Sequence, residues 1–77
     1  MELDVNEVVE ISNGKRYIVV DILEDNYQKY YFLLEINDDN EVLTDYIVAK
    51  SDIEAGKRVL KPVDDNKVEE KFKARLS

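Results

Sequence analysis

The sequence predicts a small α+β domain, mainly β: a five-stranded antiparallel meander, curled toward an SH3-like barrel, with one amphipathic C-terminal helix. Three observations predict it. Segments rich in β-branched and aromatic residues recur, separated by clusters of turn-forming residues. Apolar and polar side chains alternate along several of these segments. Only the last stretch switches to a helical period, with acids ahead of bases.

The first strand is placed at residues 5–11, where Val5, Val9 and Ile11 are apolar and Glu10 is polar. Ser12-Asn13-Gly14-Lys15 follows as a hairpin, because Asn-Gly readily takes the positive φ angles of a type I′ turn. Residues 16–24 form the second strand. Their apolar side chains fall on both parities (Tyr17, Ile18, Val19, Val20, Ile22, Leu23), which suits a central strand covered on both faces. Glu24 to Lys29 is polar and leads into the third strand at 30–37, from Tyr30-Tyr31-Phe32 to Ile36.

Asn37-Asp38-Asp39-Asn40-Glu41 is a turn cluster, since Asn and Asp side chains bond nearby main-chain groups. The fourth strand is set at 42–50. Ser51 to Gly56 is read as a turn, with one helical turn over Ser51 to Ala55 as the alternative. The fifth strand, 57–63, has Val59, Lys61 and Val63 on one face against Arg58, Leu60 and Pro62 on the other. Pro62 cannot donate to a ladder, so this strand belongs at an edge or ends there.

The helix is placed at 66–76. Asn66 and Glu69 have capping-box spacing, and Val68, Phe72 and Leu76 fall on one stripe. A helix this short is marginal alone, so it should be held by Phe72 docking into the core.

The 77 residues have room for one domain, which buries roughly 60 to 65% of its unfolded surface. That core is thin, and single truncations in it should matter. Cysteine is absent, which excludes disulfides, thiol nucleophiles and thiolate metal sites. Histidine is absent too, removing the commonest general base and metal ligand. Ser12, Ser51 and Ser77 therefore have no imidazole to activate them. Two isolated glycines, Gly14 and Gly56, do not make a phosphate cradle. The expectation is a protein without enzymatic activity or cofactor.

Among the carboxylates, Asp38, Asp39 and Glu41 are dense but lack the central glycine and spacing of a calcium loop, so a solvated turn is expected. Asp64 and Asp65 are explained by helix capping. Asp21, inside an apolar strand, is expected to face solvent or pair with a base.

The net charge of -7 repels phosphate backbones and anionic membrane surfaces, and no apolar stretch reaches the length of a membrane span. Acids among the first ten residues stand where a signal peptide needs bases, which points to the cytoplasm. Five tyrosines and two phenylalanines leave binding as the open possibility. Tyr17, Tyr31 and Tyr46 form the candidate contact patch, against the plainer reading that the rings cover both sides of a small sheet.

The leading expectation is a protein-interaction domain using a strand edge or a tyrosine-bearing face, with another protein as partner. Two alternatives remain. One is an acidic decoy of a nucleic-acid-binding protein, which needs carboxylates concentrated on one face. The other is an oligonucleotide-binding barrel, which needs Lys15, Arg16, Lys57 and Arg58 to converge beside exposed tyrosines. Periodicity leaves the oligomeric state and the closure of the sheet open.

Residues 12–21, Ser12-Asn13-Gly14-Lys15-Arg16-Tyr17-Ile18-Val19-Val20-Asp21, with the Tyr-rich segment Tyr30 to Ile36 and Leu60-Lys61-Pro62-Val63-Asp64-Asp65, resemble a group of short, acidic, uncharacterised bacterial and phage-associated proteins. The resemblance implies a compact β-rich domain and assigns no functional residue.

Overall fold

The computed structural model describes residues 3–11 and 14–76, without the side chain of Arg58. Five strands pair antiparallel in chain order: β1 (Val8–Glu10), β2 (Arg16–Asp25), β3 (Gln28–Ile36), β4 (Val42–Glu54) and β5 (Lys57–Pro62). The sheet curls into a half-barrel, and α1 (Asn66–Leu76) packs on its outer face. The expected meander and helix are therefore present.

Two apolar clusters sandwich the sheet. The inner one gathers Ile11, Tyr17, Val19, Tyr31, Leu33 and Ala49, with Leu3, Val9, Ile22, Ile47 and Leu60 packed against it. The outer one gathers Phe32, Val48, Val68 and Phe72, with Val20, Leu23, Tyr30, Leu34 and Val63 around them. Strict alternation in β3 produces this division, since Tyr31 and Leu33 point inward while Tyr30, Phe32 and Leu34 point toward the helix.

β2 serves both clusters through a bulge. Val19 pairs with Leu33 and Asp21 with Phe32, so Val20 is the extra residue. Without it, alternation from Tyr17 would aim Asp21 and Leu23 at the inner core. The bulge instead turns Ile22 inward and brings Asp21 to the helix side, where Arg75 Nη2 lies 3.2 Å away. The expected basic partner of Asp21 is thus Arg75.

Boundaries differ from the sequence reading at the turns. β1 begins at Val8, not Val5, because Glu7 N–H bonds Asp4 O at 3.1 Å and Asn6 adopts φ 77, making a turn of the preceding residues. At the first hairpin Glu10 pairs with Arg16, and Ile11 N–H donates to Lys15 O at 3.2 Å. Gly14 takes φ 79 there, while Ser12 and Asn13, on which the type I′ expectation rests, lie outside the described residues.

β2 and β3 instead run to a two-residue turn in which Asn26 (φ 55) and Tyr27 (φ 67) are both left-handed, so the polar Glu24–Lys29 stretch is mostly strand. β4 likewise continues to Glu54 and turns on Ala55 (φ 50) and Gly56 (φ 77), which corrects the turn or helical turn expected from Ser51 onward. Ser51 lies within β4, paired with Leu60 of β5. Between β3 and β4, Asn37 Oδ1 accepts the N–H groups of Asp39 and Glu41, each at 2.9 Å, and organises the acidic turn.

The helix occupies the expected span, and of the cap candidates Asp64, Asp65 and Asn66 it is Asp65 that caps it. Asp65 Oδ1 accepts Lys67 N–H at 2.9 Å and its carbonyl accepts Glu69 N–H at 3.0 Å. The apolar stripe also stops early: Val68 and Phe72 are buried, while Leu76 is 49% exposed. Phe72 seats against Phe32, their centroids 5.5 Å apart and the rings tilted by 50°.

Candidate functional site

The tyrosine patch does not form. Tyr17 and Tyr31 are 2% and 1% exposed in the inner core, whereas Tyr46 is 38% exposed on the opposite face. The reason is the curl, which turns the inner face of a sheet this small into a core. The rings instead cover both sides of the sheet, Tyr17 and Tyr31 inside and Tyr30, Phe32 and Tyr46 on the helix side.

Tyr46 belongs to the helix docking. Its ring stacks on Phe32 at 5.1 Å, its hydroxyl donates to Glu69 Oε1, and Lys73 Nζ sits 5.4 Å from its centroid. The bond from Tyr46, then the ammonium of Lys73, hold the Glu69 carboxyl below its ordinary pKa. Lys73 is raised by the same two neighbours, Tyr46 first. Further along, Lys71 Nζ contacts Asp25 Oδ2 at 2.8 Å, which raises its pKa, and Arg75 Nη1 donates to Ile22 O at 2.9 Å. These exposed contacts fix where the helix lies more than how tightly it is held.

Charges of both signs interleave on this face. On the neighbouring β4–β5 ladder Lys61 contacts Glu54 and Asp52, and its pKa is raised chiefly by the bond to Glu54. Asp52 is lowered, first by the N–H of Ile53. Such mixing is not the one-sided carboxylate surface of a nucleic-acid decoy. The basic pairs do not converge either. Arg16 stands where β2 meets the end of β3, beside the start of β4, whereas Lys57 pairs with Glu54 at the far end of β4. Arg58's side chain lies outside the described residues. Among the described residues, no three or more carboxylates gather as they would around a metal ion, and no helix is long and apolar enough to cross a membrane.

What the sequence reading did not locate is a cleft of about 670 Å³ where the half-barrel fails to close. One wall is the N-terminal segment and β1, with Leu3, Val9 and Ile11 giving apolar surface and Glu7 and Glu10 polar heads. The opposite wall is Val59 and Leu60 of β5, and the floor is Tyr31 and Ser51. Both walls are sheet edges: β1 pairs only with β2 and β5 only with β4 among the described residues. Each edge therefore carries main-chain donors and acceptors that the ladder does not use. The volume is within the range of ordinary ligand sites, which runs from about 300 to 1,000 Å³.

The sequence signal for this cleft was indirect. Pro62 announced an edge in the fifth strand, and β5 does lie at the edge and end there. Nothing in the period of the first strand announced that its outer side would face the fifth. Comparison with protein-family models, with curated proteins and with solved structures finds no match.

Proposed function

We propose that the chain is a non-enzymatic protein-interaction domain that takes an extended segment of another protein into the cleft between β1 and β5 as an added strand. One observation carries the reading: two strand edges stand on either side of a partly apolar opening that the described strands do not fill. Strand addition obtains affinity from main-chain hydrogen bonds and selectivity from alternate side chains. Here Leu3, Val9 and Leu60, all half-buried, would receive the inward-pointing side chains over the buried Tyr31. The tyrosine face of the earlier expectation drops out, because two of its three rings are core. A cytoplasmic setting, and kinship with short acidic bacterial and phage-associated proteins, belong to the same proposal and rest on the sequence alone.

The test is to select binders from a displayed library of random octapeptides and map them on the 15N-labelled chain. Binders should move the amides of Val8 to Ile11, Val59 and Leu60 while leaving α1 in place. Failure to recover any binder, or binders that map to the outer face around Tyr46 and α1, would remove the reading.

A further inference from the structure

Resting on that reading, we infer that the cleft selects a cationic strand: an extended segment with apolar side chains on one face and lysine or arginine on the other. The charges of the cleft point that way. Glu7 and Glu10 line it, both exposed, and no described side chain lining it is basic. Neither acid takes part in an ion pair among the described residues. Arg16, directly opposite Glu10 in the ladder, sends its guanidinium to Asn40 Oδ1 at 2.8 Å. On the other wall, Lys61 is occupied by Asp52 and Glu54.

The same charges argue against two other occupants. A second copy of this chain would bring another Glu7 and Glu10 to the same edge, on a body already at -7. Like charges across such an interface oppose pairing. A nucleic acid would meet two carboxylates and no described lysine or arginine in the cleft. A cationic strand neutralises both acids and is drawn in by the field of the whole molecule.

Three octapeptides test the inference by 15N titration and calorimetry, alternating valine with lysine, with threonine or with glutamate. The lysine peptide should bind at the cleft about fivefold more tightly than the threonine peptide at low salt, as expected of two exposed ion pairs. The glutamate peptide should bind weakest, and the differences should shrink in about 0.5 M salt. In the E7K/E10K double variant the order should reverse; both positions are exposed, and circular dichroism confirms the fold. Equal binding of the three peptides at the cleft overturns the cationic preference while leaving the strand-accepting reading intact. If none binds at the cleft, both fall. A stable dimer in sedimentation velocity, lost in a Val8→Pro variant that keeps its fold, would make a second copy the occupant and overturn the inference.

Discussion

Removing the Phe72 ring should undo the helix docking and take much of the domain's stability with it. Phe72 is fully buried, and its ring lies on Phe32, which in turn stacks on Tyr46. A buried phenylalanine truncated to alanine costs about 3–5 kcal/mol, transfer and cavity combined. A chain of 77 residues has roughly 4–12 kcal/mol in total at typical values per residue. Phe72→Ala should therefore lose at least about a quarter of the stability and, at the upper end of the cost, all of it. Val68→Ala, in the same cluster at 4% exposure, should lose about 2 kcal/mol. Leu76→Ala should lose less than about 1 kcal/mol, because that side chain is half in water and alanine favours the helix.

The measurement is urea unfolding followed by circular dichroism, with the midpoint and slope compared across the three variants. Should Phe72→Ala fail to fold, Phe72→Leu keeps the comparison possible, with a loss of about 1–2 kcal/mol. The reasoning is refuted if Leu76→Ala matches Phe72→Ala, or if Phe72→Ala costs less than about 1.5 kcal/mol. Either result would mean that the helix is not held by the ring stack.

Three more perturbations probe other parts of the fold. Tyr27 holds a left-handed φ of 67 with its side chain entirely in water, so Tyr27→Gly should raise the thermal midpoint by roughly 5 °C, and a drop would reveal a contact made by the ring. Asn37→Ala removes the acceptor of two N–H groups; it should cost about 1 kcal/mol in chemical unfolding and speed hydrogen exchange at Asp39 and Glu41, and unchanged exchange would refute the role of Asn37. Glu69 is depressed below its ordinary 4.5, so its stabilising effect is present above that value and lost as pH falls through the folded pKa. Tyr46→Phe should return the NMR-measured titration of Glu69 toward 4.5 and flatten the acid limb of thermal stability below about pH 5; an unmoved titration would assign the shift to Lys73 alone.

The elements were legible because each is specified locally. Alternation in Tyr30 to Ile36 already separated Tyr31 from Tyr30 and Phe32, and the period of Val68 and Phe72 already named the helix face. The turns were less legible because their residues break the usual preferences. Asn26-Tyr27 and Ala55-Gly56 each place a side-chain-bearing residue where glycine is easier, so propensity read loops where the chain makes tight hairpins. The site was hidden for a different reason. Whether an inward tyrosine is a contact or a core residue depends on curvature, and the bulge at Val20 that re-aims Asp21 is invisible to a strict period of two. The cleft arises from the meeting of the first and last strands, a non-local event that no window of sequence contains.

An unclosed half-barrel is exposed to aggregation, and the way this one guards its edges bears on what it can admit. β1 is only three residues long and carries Glu10, while β5 ends on Pro62 and has Lys57 and Lys61 along it. Short length, charge and proline are the means by which sheets discourage edge-to-edge pairing. They act most strongly against a second flat, like-charged edge, since two copies would juxtapose their own acids. They act least against a short, flexible strand whose charges complement the wall it meets. Guarded edges and a partly apolar cleft are therefore compatible: the edges oppose pairing with other sheets, while the half-buried Val9 and Leu60 would, on the proposed reading, suit a single strand that can reach them. A strand bound there would also stabilise the domain in proportion to its affinity, since it binds only the folded form. A thin-cored protein of this size would then be most stable when occupied.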